Sequence, residues 1–283
     1  MAEIAVGVGG ANEAGERAVR WAAAHAAARN ARLRLIHVID PAIEATGDAE
    51  FLLAAQSSAH ESLATAREIA ERVAPGLDVV TELEQGRPEE VFERVSKSVD
   101  LLVVASDWHG GRRPSRRGVH SLRIAAASRA PVLVVPDVDL GARRGVVVGV
   151  DGSPQGARAL DFAVGEAVRL DEPLIAIHAW DIALIAGGEY GYGVAMVGTD
   201  ELSEAAEELL DETVEPIELA HPGLEIVRRV ITGDPVTALA DAAADASLLV
   251  VGSHGRGPLA RFLLGSVSHG VLSHLEAPTA VVR

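Results

Sequence analysis

The chain repeats itself, and the repeat alternates strand with helix. The apolar run 4–8 is followed by Gly9-Gly10-Ala11-Asn12 and an alanine-rich helical pattern through Arg17, Trp21 and Ala28. The run 146–150 is followed by Asp151-Gly152-Ser153-Pro154 and a helical pattern through Ala159, Phe162 and Val168. The match continues between 33–40 (LRLIHVID) and 174–181 (LIAIHAWD), between Gly86-Arg87-Pro88 and Gly233-Asp234-Pro235, between 100–104 and 247–251, and between 130–135 and 277–282. Each half therefore reads as five strands and four helices in alternation. Such a pattern predicts parallel pairing, right-handed crossovers and helices on both faces of each sheet. The near-continuous Val, Ile and Leu content of the strands agrees, because parallel strands are covered on both faces. The expected fold class is α/β, two tandem five-stranded parallel-sheet domains over 1–140 and 144–283, divided where Asp, Gly and Arg cluster at 137–144.

Two segments break the symmetry. After its second strand the first half has a mostly helical pattern over 42–74, with Glu61, Arg67 and Glu68 at polar positions. The second half instead has Gly187-Gly188-Glu189-Tyr190-Gly191-Tyr192-Gly193 before a helix around 202–219. That glycine and tyrosine stretch reads either as a mobile loop at a crevice mouth or as an ordinary long surface loop.

Composition narrows the function classes. The 283 residues are 48% hydrophobic and 23% charged, which is globular rather than disordered. A net charge of -16 repels phosphate backbones and 3% aromatic residues leave few stacking platforms, so nucleic-acid binding is not expected. With no cysteine there is no disulfide framework, no thiol catalysis and no cysteine metal site, which fits a reducing compartment. No signal peptide and no membrane-length apolar run is read, so a cytoplasmic location is expected. Lys97 is the one lysine, which excludes a P-loop; any phosphate must be held by amides, hydroxyls or arginine.

The stretch 250–268 (VVGSHGRGPLARFLLGSVS) has the outline of such a phosphate cradle. An apolar strand end is followed by a glycine-rich loop, and Gly265-Ser266 opens a helix running towards Leu275. Glycines admit an anion close to the backbone, and a helix N-terminus offers free amides and favourable potential without a cationic side chain. The plainer alternative is that these glycines only turn the chain. In doubly wound sheets ligands sit where the strand order reverses, and the strand ends there carry Asp151, Ala179 and Gly252. Asp151 is alternatively a turn-former capping the following helix.

The spacing Gly252, Gly255, Gly265-Ser266 resembles the ATP-binding signature of the universal stress protein family, and the resemblance extends over almost the whole chain as a tandem of two such domains. It implies a Rossmann-like sandwich of the adenine nucleotide alpha hydrolase type in each half. It also implies an intramolecular pseudo-dimer through the last strand of each half, with higher homo-oligomers left open. The implied cofactor is ATP, with or without Mg2+. Carried over by position, Asp151 accepts hydrogen bonds from the nucleoside and the Ala179 backbone meets adenine. Gly252 and Gly255 line the sugar and phosphates, while Gly265, Ser266, Val267 and Ser268 close on the phosphates; Gly149, two residues before Asp151, belongs to the same implied set. No catalytic residue and no protein metal ligand is implied.

The first half departs from the signature, with Ala105 at the first glycine, Trp108 at the second, Gly118-Val119 where the second half has Gly265-Ser266, and Gly9 in place of the acidic residue. It is not expected to hold ATP in the family manner. Its loop Arg112-Arg113-Pro114-Ser115-Arg116-Arg117 either grips an anion or an acidic partner, or is solvated and internally paired. Gly7, Gly9 and Gly10 do not complete a dinucleotide fingerprint, and His254, His269 and His274 lack zinc-ligand spacing. His254 either bonds a phosphate or sits exposed on its loop. Three readings follow: an ATP-binding stress regulator or sensor with ATP in the second half, a slow ATPase, or a nucleotide-independent dimerisation or scaffold module.

Overall fold

Strand β1 (Glu3–Gly7) buries its three central side chains, Ile4, Ala5 and Val6, as a strand covered on both faces must. The computed structural model to which it belongs describes residues 1–9, 13–44, 48–106, 119–139, 141–181, 199–255 and 264–283. Helix α1 (Glu13–Ala28) packs on this strand through Ala14, Ala18, Val19, Ala22 and Ala26, a stripe at helical spacing whose small side chains let the helix approach the sheet closely. The first half continues as β2 (Arg32–Ile39), α2 (Pro41–Glu44), α3 (Ala49–Val73), β3 (Val79–Gln85), α4 (Pro88–Val95), β4 (Leu101–Ala105), α5 (Val119–Ala127) and β5 (Val132–Val135). The helical pattern expected over 42–74 is thus two helices. The second begins at Asp48, whose carboxylate accepts from the amides of Glu50 at 3.0 Å and Phe51 at 3.2 Å.

The second half runs β6 (Val146–Gly149), α6 (Pro154–Leu170), β7 (Leu174–Trp180), α7 (Thr199–Ala220), β8 (Ile226–Thr232), α8 (Pro235–Ala243), β9 (Leu248–Gly252), α9 (Ser266–Ser273) and β10 (Thr279–Val282). The chain divides between 139 and 140 into two compact units. Strand order is β3-β2-β1-β4-β5 in the first and β8-β7-β6-β9-β10 in the second, with the pairings within each unit parallel. The repeat and the α/β class read from the sequence are therefore seen in the structure. The inner strands β1, β4, β6 and β9 are apolar and largely buried, whereas β3 (VVTELEQ) and β8 (IVRRVIT), outermost in their unit's order, carry charge and are half-exposed; β2 is intermediate, with Arg32 and Arg34 on a partly buried strand.

In each unit the order reverses beside the first strand, between β1 and β4 and between β6 and β9. Right-handed crossovers to either side of that strand send the following loops in opposite directions and open a crevice at its carboxyl end. The basic loop 112–117, Trp108, Gly118, the stretch 187–193, Asn12, Arg256 and Arg261 lie outside the described residues. Among the described residues no helix is long and apolar enough to cross a membrane.

Candidate functional site

The crevice of the second unit encloses a cavity of about 260 Å³. The sequence-designated Gly149, Asp151, Ala179, Gly252, Gly255, Gly265, Ser266, Val267 and Ser268 all line it. Three strand ends bring them there: Gly149 closes β6, Ala179 stands next to the end of β7, and Gly252 closes β9.

Asp151 is held by the turn that follows it. Its Oδ1 accepts from the Ser153 amide at 3.0 Å and from the Ser153 hydroxyl at 2.7 Å, while the Ser153 Oγ in turn accepts from the Gly156 amide at 2.9 Å. Ser153 is therefore the N-cap of α6, and Asp151 orients the cap rather than being it. Gly152 makes the turn with φ 69°, a left-handed conformation that glycine adopts without penalty. Gly156 is needed for a different reason: a Cβ there would land on Asp151 Oδ1. The other carboxylate oxygen, Oδ2, lies where a Cβ on Gly255 would be, 2.7 Å away, so the bare backbone of Gly255 leaves room beside it.

The glycine loop closes on itself. The Gly265 amide donates to Ser253 O at 2.8 Å, and the Ser253 amide to Val282 O at 2.7 Å. A Cβ on Gly252 would press on the Gln155 carbonyl at 3.1–3.2 Å, and one on Gly265 on the backbone of Ser253 and His254 at 3.3 Å. These two glycines are fixed by close approach within the protein itself. Ser268 is almost fully buried, and its hydroxyl is shared between Ser253 O at 3.0 Å and Gly265 O at 3.1 Å. It staples the loop and has no second proton to offer a ligand. Ser266 is exposed and has no hydrogen-bond partner among the described residues. Gly265 provides α9 with no side-chain cap, and the first intrahelical bond to that residue comes from the His269 amide. Among the described residues the amides of 266–268 have no acceptor, as at a helix N-terminus, and these residues line the cavity.

A second pair of unspent groups lies at the end of β7. Its even-numbered residues bond towards β8, with Leu174 N–H donating to Glu225 O at 2.9 Å and Trp180 O accepting from Gly233 at 2.8 Å. Its odd-numbered residues face β6, where Val150 N–H donates to Ile177 O at 2.8 Å. Ala179 is next on that side, beyond the end of β6, and its N–H and C=O have no partner among the described residues. One residue earlier, His178 Nδ1 donates to Val150 O at 2.7 Å.

The apolar wall is Ile177, Leu239 and Val251. Leu239 rests over Gly149, 3.2 Å from where a Cβ would stand. The corresponding residue of the first unit is Phe92, whose ring tip comes within 2.9 Å of the equivalent position on Gly7. The larger side chain stands over β1 where Leu239 stands over β6. His254 is not free on its loop. It lines the cavity, Nδ1 lies 3.2 Å from Ser253 Oγ, and Nε2 is buried without a partner among the described residues. Among the described residues no group of three or more His, Asp or Glu is placed to hold a metal.

Sequence reasoning missed Ser153 as the cap, Gly156, Leu239, Phe92 and His178. The Leu239 and Phe92 pair was available, since both lie four residues after the proline of the repeated Gly-x-Pro.

Doubly wound parallel units, one with a glycine-lined cavity at the switch point and a bare helix N-terminus, define a nucleotide-fold protein class. The universal stress protein family model matches residues 1–136 and again 142–283, and the chain belongs to that family. A universal stress protein of Mycolicibacterium smegmatis is 32% identical over 99% of this chain and 96% of its own length. Another, of Mycobacterium tuberculosis, is 30% identical over 99% and 94%. The crystal structure of a universal stress protein from Archaeoglobus fulgidus has the same fold, with a TM-score of 0.71 at 19% identity over 99% of this chain and 98% of that one.

Proposed function

We propose that this chain binds ATP in its C-terminal unit, one molecule per chain, and acts as a nucleotide-dependent stress-response regulator or sensor. The reading rests on one observation: unspent backbone groups stand around a single cavity, Ala179 N–H and C=O on one side and the first-turn amides of α9 on another. Adenine offers an acceptor at N1 beside a donor amine at N6, the complement of one residue's N–H and C=O. Phosphates suit the α9 N-terminus and the Ser266 hydroxyl. Asp151 Oδ2, beside the bare backbone of Gly255, would accept from a ribose hydroxyl. Gly149, beneath Leu239, and Gly252, against Gln155, form the floor, while Gly255, Gly265, Val267 and Ser268 shape the phosphate side through their backbone. Mg2+ would come with the phosphates, with Ser266 as its one candidate hydroxyl.

Binding without efficient turnover is the expected activity. Phosphoryl transfer needs a metal clamp, a group that orients water and a cation matched to developing charge. The stretch 250–268 contains no carboxylate and no glutamine to position a water, Asp151 belongs to the nucleoside end, and His254 is the one candidate base. With no cysteine in the chain, we read the compartment as the reducing cytoplasm.

Equilibrium titration with ATP tests the proposal and should give one site per chain. Gly255→Trp, which places a large side chain against Asp151, should abolish binding. Ser266→Ala should weaken ATP by about ten- to hundred-fold, the loss expected for one charge-assisted hydrogen bond. Two equivalent sites, or unchanged affinity in Gly255→Trp, would refute it. Magnesium-dependent turnover near ~1 per second, abolished by His254→Ala, would make the protein an ATPase instead.

A further inference from the structure

We infer that the N-terminal unit carries a binding site of its own, for a small aliphatic diamine, in the cleft between α1 and α3. A cavity of about 250 Å³ lies there at the carboxyl end of β1, a little below the size that takes drug-sized ligands. It is not the C-terminal cavity repeated. That one is walled by α8 and α9, whereas this one is walled by α1 and α3, whose counterparts in the repeat are α6 and α7. The inference does not depend on the ATP reading.

The cavity has an apolar side and a polar rim. Val19, Ala66 and Ile69 are buried and make the apolar side together with Val8. The rim carries the carboxylates of Glu16 and Glu61 and three hydroxyls of α3, and no lysine or arginine among the described residues lines it. Glu61 has no hydrogen bond or ion pair among the described residues. Glu16 meets Arg20 at 3.4 Å, a half-exposed pair of little worth that a ligand can replace. The Ser62 hydroxyl donates to Ser58 O at 2.9 Å, while those of Ser58 and Thr65 have no partner among the described residues. Free carboxylates and hydroxyls beside an apolar surface suit ammonium groups on a short alkyl chain: the rim accepts their hydrogen bonds and the methylenes cover the apolar side. A bare metal ion is a poorer match. Hard cations take six or more oxygens, and among the described residues no group of three or more His, Asp or Glu is placed to hold a metal.

The two units differ at this place. The buried stripe Ala18, Ala22 and Ala26 of α1 corresponds to Ala159, Ala163 and Ala167 of α6, which aligns Gly15 with Gly156. In the C-terminal unit the Asp151 carboxylate occupies the room that Gly156 leaves. In the N-terminal unit the helix glycine is present, but Gly9 stands at the end of the strand and brings no side chain. Both Gly9 and Gly15 line the cavity, and nothing lies within 4 Å of where a Cβ on Gly9 would stand.

Calorimetric titration of the full-length protein with 1,4-diaminobutane at physiological salt tests the inference, since diffuse attraction to a chain of net charge -16 is largely screened there. One saturable site per chain is expected, and 1,4-butanediol, of the same length without charge, should not compete. Glu61→Gln should weaken the diamine about tenfold, the low end for a hydrogen bond to a charged group, because the rim is exposed. Glu68→Gln removes the same charge from the same helix outside the cavity and should change the affinity less than about twofold. Gly9→Phe, at a position whose surroundings admit a side chain, should abolish binding. If that variant loses cooperative melting, Thr65→Phe closes the cavity from the α3 side and makes the same comparison. Equal weakening by Glu61→Gln and Glu68→Gln would reduce the effect to net charge and overturn the inference. So would the absence of a saturable site in the wild type, competition by the diol, or an unchanged affinity in Gly9→Phe or Thr65→Phe.

Discussion

Single side chains set how firmly the candidate site is preorganised. Asp151 is aimed by Ser153 and crowded by Gly156, so a methyl group on Gly156 must displace the carboxylate although it would otherwise favour a helix by up to about 1 kcal/mol. Gly156→Ala is therefore expected to weaken ATP at least about tenfold with a change in melting temperature of only a few degrees, measured by titration and calorimetry on the same preparation. An unchanged affinity would show that Asp151 does not contact the ligand. His37 makes a separate prediction about stability. Burial lowers its pKa from the ordinary 6.5, and the nearby Val8 carbonyl offsets only part of this. The folded state thus binds this proton less readily than the unfolded state. Its contribution is complete above pH 6.5 and is lost as the pH falls from there through the lowered folded value. The slope in that window stays below the one-proton ceiling of about 1.4 kcal/mol per pH unit, because the ring is only half-buried. Urea midpoints between pH 7.5 and 5.5 should fall less steeply in His37→Asn than in wild type, and parallel curves would contradict the assignment.

Helix α9 joins fold and site at the level of the element. It packs on α8 where Gly270 faces Val236, with a hypothetical Cβ only 2.5 Å from the valine methyl, so its N-terminus is held in place by a contact about one turn further along. That N-terminus lacks a side-chain cap. A carboxylate there should satisfy the free amides and stabilise the helix by about 0.3–1 kcal/mol while repelling phosphate. Ser266→Asp is accordingly expected to raise thermal stability slightly, to weaken ATP strongly and to leave adenosine nearly unchanged, as competition titrations would read. Equal weakening of ATP and adenosine would place the phosphates elsewhere. This element also shows what the sequence could disclose. Gly252, Gly255 and Gly265-Ser266 mark the loop because glycine spacing between a strand and a helix is a local signal. The inward turn of the Ser268 hydroxyl, the burial of His254 Nε2 and the bond from His178 to Val150 O depend on which atoms meet in three dimensions. The strand and helix order was legible from the repeat for the same local reason, whereas the division of 42–74 into α2 and α3 turns on the cap at Asp48.

At the scale of the whole chain, duplication has left two units whose residues differ at the end of the first strand, and the difference should be readable as a stoichiometry and as a local stability. In the first unit Phe92 covers Gly7 and Gly9 supplies no carboxylate, so Phe92→Leu alone should not create a second site. A ligand that binds only the folded C-terminal unit stabilises that unit by mass action, about 2.7 kcal/mol at a hundredfold excess over Kd. The opening equilibrium of its core then falls by about a hundredfold. Amide exchange with saturating ATP should therefore slow in β6, β7 and β9, whose inner residues are buried and whose ends form the cavity, and should change little in β1 and β4. Gly255→Trp should erase the slowing without altering the ligand-free pattern in the N-terminal unit. Equal protection of β1 and β4 would mean either a second site in the N-terminal unit or a single opening reaction shared by both units. Repeating the exchange in Phe92→Leu decides between these, since only a true second site should respond to a change over Gly7.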